Sequence, residues 1–165
     1  MKKIIIYILT AAALMLSYDL HAVSPDGDSP AVQMLDSQKD SKRLDGTKLK
    51  IARPFLKRTP MGVIIDEIDM MILCPLDDNK ENSEILAQAG KILKRYILIR
   101  EIDDERSKMA IYIDPPQGDN FSEIIICNFR PENSIMLFSG NFTVESLIKV
   151  GEVSEQQRKH LKKNN

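Results

Sequence analysis

The apolar positions change period several times along the chain, and each change predicts an element. At the start, Ile4 to Leu16 is apolar except for Tyr7 and Thr10. From Val23 to Lys48 the apolar residues are scattered without a period, among Ser24-Pro25-Asp26-Gly27-Asp28-Ser29-Pro30 and Asp45-Gly46. Such a stretch buries too little surface to offset its ordering entropy, so residues 23–48 read as a flexible linker with only a weak helical hint at Val32 to Leu35. The folded unit is expected to start near Leu49. Ile51 to Leu56 predicts a short helix. Thr59-Pro60 predicts a second helix start, with Thr59 as N-cap, Pro60 at the first helical position and Val63, Ile64 and Ile68 on one side. Ile68 to Leu73 is an apolar run of strand length, ended by Pro75.

The clearest periodicity follows. Ile85, Leu86, Ala89, Ile92, Leu93 and Tyr96 form one apolar face at helical spacing, with Asp78 and Glu81 placed as a capping box. Four strand-like runs come next: Ile97–Ile102, Met109–Ile113, Phe121–Phe129 and Ser134–Phe138. They are separated by Asp103-Asp104-Glu105-Arg106, by Asp114-Pro115-Pro116-Gln117-Gly118-Asp119-Asn120 and by Pro131-Glu132-Asn133. Close spacing argues an antiparallel meander. Gly140-Asn141 is then a turn, and Thr143 caps a last helix with Val144, Leu147 and Ile148 on one side. The order predicts an α+β domain over residues 49–150: two layers, a mostly antiparallel sheet of about five strands, and one amphipathic helix packed on one face. Residues 151–165 read as a polar, basic tail.

The first run also carries an address. Lys2-Lys3, the short apolar stretch and Leu20-His21-Ala22 form the pattern of a secretory signal peptide, residues 1–22, cleaved after Ala22. The run is shorter than the ~20 residues a spanning helix takes. No cysteine lies near that site, so no lipid attachment is expected, nor any stable membrane anchor after cleavage. The protein is expected in the periplasm or outside the cell.

Composition then removes function classes. With 23 basic against 24 acidic residues, no global field recruits nucleic acid. Aromatic residues make up 5% and Trp is absent, which removes a stacking platform. The only histidines, His21 and His160, lie in the signal and the tail, so neither a Ser-His-Asp nor a Cys-His site has support. Asp66, Glu67 and Asp69, and Asp103, Asp104 and Glu105, are read as solvated surface. Met70, Met71, Met109 and Met136 read as core rather than as a binding stripe. Cys74 and Cys127 are the only cysteines. Either they pair, as an exported chain permits, or each is a small buried hydrophobe in its strand. No cofactor or metal is expected.

Several segments, in order, resemble a known family: Pro54-Phe55-Leu56-Lys57 with Thr59-Pro60, Ile68-Asp69-Met70-Met71-Ile72-Leu73, and the helix ending Arg95-Tyr96. Met109-Ala110-Ile111-Tyr112-Ile113, Ser122-Glu123-Ile124-Ile125-Ile126 and Ser139-Gly140-Asn141-Phe142-Thr143 with Leu147 continue the match. Their order and spacing are similar to the exported bacterial proteins of the domain of unknown function 4252 family. The resemblance implies a small exported α+β domain and carries no catalytic residues. The expected function is therefore non-enzymatic binding of a protein or envelope component, through the uncovered sheet face, with Tyr112 and Phe129 as contact residues. A sensor in an envelope-stress or sigma-factor circuit is the alternative. A carboxylate-based hydrolase, which needs two carboxylates facing each other in a cleft, is a third.

Overall fold

The computed structural model describes residues 28–58, 60–76, 80–105, 108–130 and 133–152. The signal pattern, Thr59, the Asp78 cap, the Pro131-Glu132 turn and the tail from 153 onward lie outside the described residues. The elements run α1 (Pro30–Asp36), β1 (Lys42–Asp45), α2 (Gly46–Leu56), 3-10 turns at Pro60–Val63 and Ile65–Glu67, β2 (Ile68–Pro75), α3 (Lys80–Leu93), β3 (Ile97–Asp103), β4 (Lys108–Ile113), β5 (Asn120–Arg130) and β6 (Ser134–Thr143). Residues 144–152 form α4. The strands make one open, fully antiparallel sheet in the order β1-β2-β6-β5-β4-β3. The fold is α+β, but with six strands rather than five and with more than one helix.

The added strand comes from the stretch expected to be a linker. Ser29 accepts a hydrogen bond from the Val32 amide at 3.2 Å and Pro30 occupies the first turn, a complete helix start. Ala31, Val32 and Leu35 of α1 are buried. Arg43 on β1 bonds Asp28 at 3.1 Å, Asp36 at 3.2 Å and Asp45 at 2.9 Å, tying the residues before α1, α1 itself and β1 together. Gly46, at φ 45°, turns the chain directly from β1 into α2, a conformation that L side chains resist.

Two cores follow, one on each side of the sheet. On the first face, Leu49, Ala52 and Leu56 of α2, Ile64 and Ile65 of the 3-10 segment, and Leu147 and Val150 of α4 pack on Met71, Ile124, Phe138 and Phe142. On the second, α1 and α3 pack on Ile72, Ile125, Ile135 and Leu137. The arrangement is therefore three layers over most of the sheet, not two. α1 supplies the difference, since it lies beside α3 and on β2.

Local corrections share a cause: close backbone approach. The helix expected from Thr59-Pro60 is two 3-10 turns, and a Cβ on Gly62 would collide with the Lys57 backbone. Gly140-Asn141 is no turn; β6 runs through it to Thr143. A Cβ on Gly140 would collide with the Glu67 carbonyl, so this glycine serves strand contact. Thr143 does cap α4, accepting from the Ser146 amide at 3.1 Å. The buried side of α4 is Leu147 and Val150, while Val144 and Ile148 are exposed. Leu86 likewise lies off the buried stripe of α3. Met70, Met71 and Met136 are core residues as expected, and Met109 is half-buried against the first core.

The cysteines do not pair. Cys74 and Cys127 are both opposite Ile135, on the strands either side of β6. Two strand spacings are about 9.5 Å, beyond the ~7 Å Cα limit for a bridge. Burial, with the Asp40 charge nearby, pushes the Cys74 thiol up to about 11. Burial alone pushes Cys127 up to about 12. Raised thiol values in the folded state contribute stability that is fully present below the ordinary value of 9.0. It is lost as pH rises through 11 and 12. The expected result is two titratable thiols in denaturant, slow thiol labelling of the native protein, and a urea midpoint that falls between pH 8.5 and roughly 11. One thiol or none in denaturant would contradict the geometry.

Candidate functional site

Side chains of β1, β2, β6, β5 and β4 reach one or both cores, and the sheet is left bare at β3. No β3 side chain belongs to either core. Ile97, Leu98 and Ile99 are 44%, 48% and 48% exposed. β3 is also a sheet edge, with unpaired backbone groups along its outer side. Ile99 is an extra residue between the Leu98–Tyr112 and Arg100–Ile111 pairs, so it forms a bulge. Half-buried Ile102, Met109 and Ile111 continue the apolar surface inward. The opposite edge, β1, is four residues long and carries the Arg43–aspartate cluster. One edge is thus short and charged, as natural sheets protect their edges, while the other is longer, opens on three consecutive apolar residues and carries a bulge and its charges at Arg100, Glu101 and Asp103.

A second feature lies on the α1–α3 face. A pocket of about 390 Å³ opens between the start of α1, the end of α3 and the β4–β5 turn. Tyr96, just past α3, donates its hydroxyl to Glu123 Oε2 on β5. Burial first, then the Glu123 carboxylate, hold the Tyr96 phenol well above its usual value, so it stays a donor. Asp114 Oδ1 accepts from the amides of Ser122 at 2.9 Å and Glu123 at 2.7 Å, which fixes the turn against β5.

The residues singled out from sequence fall elsewhere. Tyr112 is half-buried against the second core, and burial pushes its hydroxyl up, with the Cys127 and Glu101 charges adding to it. Phe129 is exposed near the far end of β5. Tyr112 is opposite Ile125, so four residues, about 13 Å, separate it from Phe129 along the strand. They share no contact surface. Within the acidic clusters, Asp66 pairs with Arg53 at 3.8 Å, Glu67 accepts through Oε1 from Ser146 at 2.9 Å, and Asp103 pairs with Lys108 at 3.0 Å and Arg130 at 3.4 Å. Among the described residues, no group of three or more His, Cys, Asp or Glu side chains is placed to hold a metal ion.

Sequence reasoning passed over Ile97-Leu98-Ile99 as an ordinary strand. The available signal was its lack of alternation, which fits a strand with apolar groups on both faces. Glu123 stood out less, as one acid among apolar neighbours in a β-prone run. Comparison with protein-family models, with curated proteins and with solved structures gave no match.

Proposed function

We propose that this chain is an exported, non-enzymatic binding domain that takes up an extended strand of a partner protein along β3. The carrying observation is the run of three exposed apolar residues on a sheet edge whose side chains join neither core. Unpaired edge amides and carbonyls are complemented by another backbone, and a seven-residue strand offers enough of them for strand addition. The signal pattern of residues 1–22 supports export.

Side-chain pairing argues against a second copy as the occupant. A symmetric antiparallel pairing centred on Arg100 or on Glu101 sets like charges opposite each other, which destabilises. Centred on Ile102, it sets Glu101 opposite Asp103. Centred on Leu98, it pairs only three residues of each strand, and centred on Ile99 it sets Ile97 opposite Glu101 and Leu98 opposite Arg100, an apolar side chain against a charged one each time. The partner strand that fits places an acidic residue opposite Arg100, a basic one opposite Glu101, and apolar residues toward Leu98 and Ile99.

The expected behaviour is a monomer. A synthetic strand peptide of that pattern binds it and slows amide hydrogen exchange in β3. Ile99→Lys weakens binding at least about tenfold while leaving the unfolding midpoint within the small range of surface changes. A peptide that protects β1 instead, or one whose affinity ignores Ile99→Lys, would contradict the assignment.

A further inference from the structure

The pocket on the α1–α3 face holds a buried carboxylate that, among the described residues, has no ion pair. Glu123 is 6% exposed. Tyr96 satisfies its Oε2, but among the described residues nothing donates to Oε1 and no lysine or arginine pairs with the carboxylate. The side chain lines the pocket, so the carboxylate borders the pocket space. Asp114 lines the same pocket, uses Oδ1 on two backbone amides, and has no cationic partner among the described residues. A third carboxylate on the wall, Asp28, is already neutralised by Arg43 at 3.1 Å. Burying a carboxylate without a countercharge is costly, and a cation supplied from outside removes that cost.

The rest of the pocket says which cation. Val32, Met70 and Ile92 give it an apolar wall, and Arg95, an exposed residue, also lines it without an ion pair to Glu123 or Asp114, so two carboxylates face one guanidinium. Its volume, about 390 Å³, lies in the range of small-ligand pockets. A hard divalent ion wants six or more oxygen ligands and gains nothing from that wall. A primary ammonium offers three donors and no acceptor, and it brings a carbon stem. We propose that this pocket binds a primary ammonium group on a short apolar stem, with Glu123 Oε1 and Asp114 as the acceptors and the Val32–Met70–Ile92 wall holding the stem. This site stands apart from the β3 edge and does not depend on it.

The test is calorimetric titration of the purified protein at neutral pH and low salt with pentylamine, with pentanol as the neutral isostere, and with Nα-acetyl-lysine amide. Saturable binding of pentylamine but not pentanol is expected. Glu123→Gln keeps an acceptor for Tyr96 and should weaken binding roughly ten- to a hundredfold, the range of a charge-assisted hydrogen bond. Asp114→Asn keeps an acceptor for the two amides and gives an independent variant with a loss in the same direction. Tighter binding of the lysine derivative would assign the natural ammonium to a polypeptide side chain, and tighter pentylamine binding to a free amine; both support the site. Equal binding of pentanol, unchanged affinity in both variants, or no saturation by either amine overturns it.

Discussion

Replacing Phe138 with alanine is expected to lower the unfolding free energy by about 3–5 kcal/mol, a large share of what a domain of this size holds. Phe138 is fully buried on β6, opposite Met71 on β2 and Ile124 on β5. It belongs to the first core with α2 and the 3-10 segment, so those elements cannot collapse into the space without leaving the sheet. Urea unfolding reads the change directly. The slope should stay near wild type, because the surface exposed on unfolding is nearly the same. A loss under ~1 kcal/mol would mean that β6 is not the centre of the sheet.

Leu35→Ala is the second large effect, expected at about 2–5 kcal/mol. Leu35 is 1% exposed and sits in the second core with Val32, Ile72 and Leu137. The prediction separates two pictures of residues 28–48. In a solvated linker the substitution costs nothing measurable. In the observed fold it opens a cavity beneath α1 and loosens its contact with α3. Protease digestion of the variant should then begin near α1, before the rest of the sheet is cut.

That contrast shows where sequence reasoning stopped. β2, β4 and β5, the stripe of α3 and the Thr143 cap were legible because each follows a local rule: a run, a period or a capping side chain. α1 was not, because seven residues with three buried positions make a helix only when a sheet is there to receive them. β1 was missed for the same reason. Its single buried residue, Leu44, gains its place by pairing with β2, from residues nearly thirty positions away in the chain. With α1 and β1 unseen, one face of the sheet was expected to stand open and Tyr112 and Phe129 were read as its contact residues. The open surface lies instead at the β3 end. Which strand of a meander becomes the edge depends on long-range order, and no residue within Ile97–Asp103 states it. The pocket was hidden likewise: Tyr96 fits the apolar stripe of α3 and Asp114 fits a turn, and only the folded chain brings both to Glu123.

The central claim is that β3 is the surface through which the protein works. The most direct measurement places a photo-crosslinking residue at position 99 on β3, and in a second protein at position 51 on α2, which is somewhat more exposed and lies on a different element. Both proteins are produced from the full-length gene in living cells and irradiated, and crosslinked products are identified by mass spectrometry. The account predicts one partner protein captured from position 99 and not from 51, through an extended segment of that partner, with capture lost when Leu98 is also changed to Glu. Capture from position 51 alone, or capture at 99 that ignores Leu98→Glu, would contradict it.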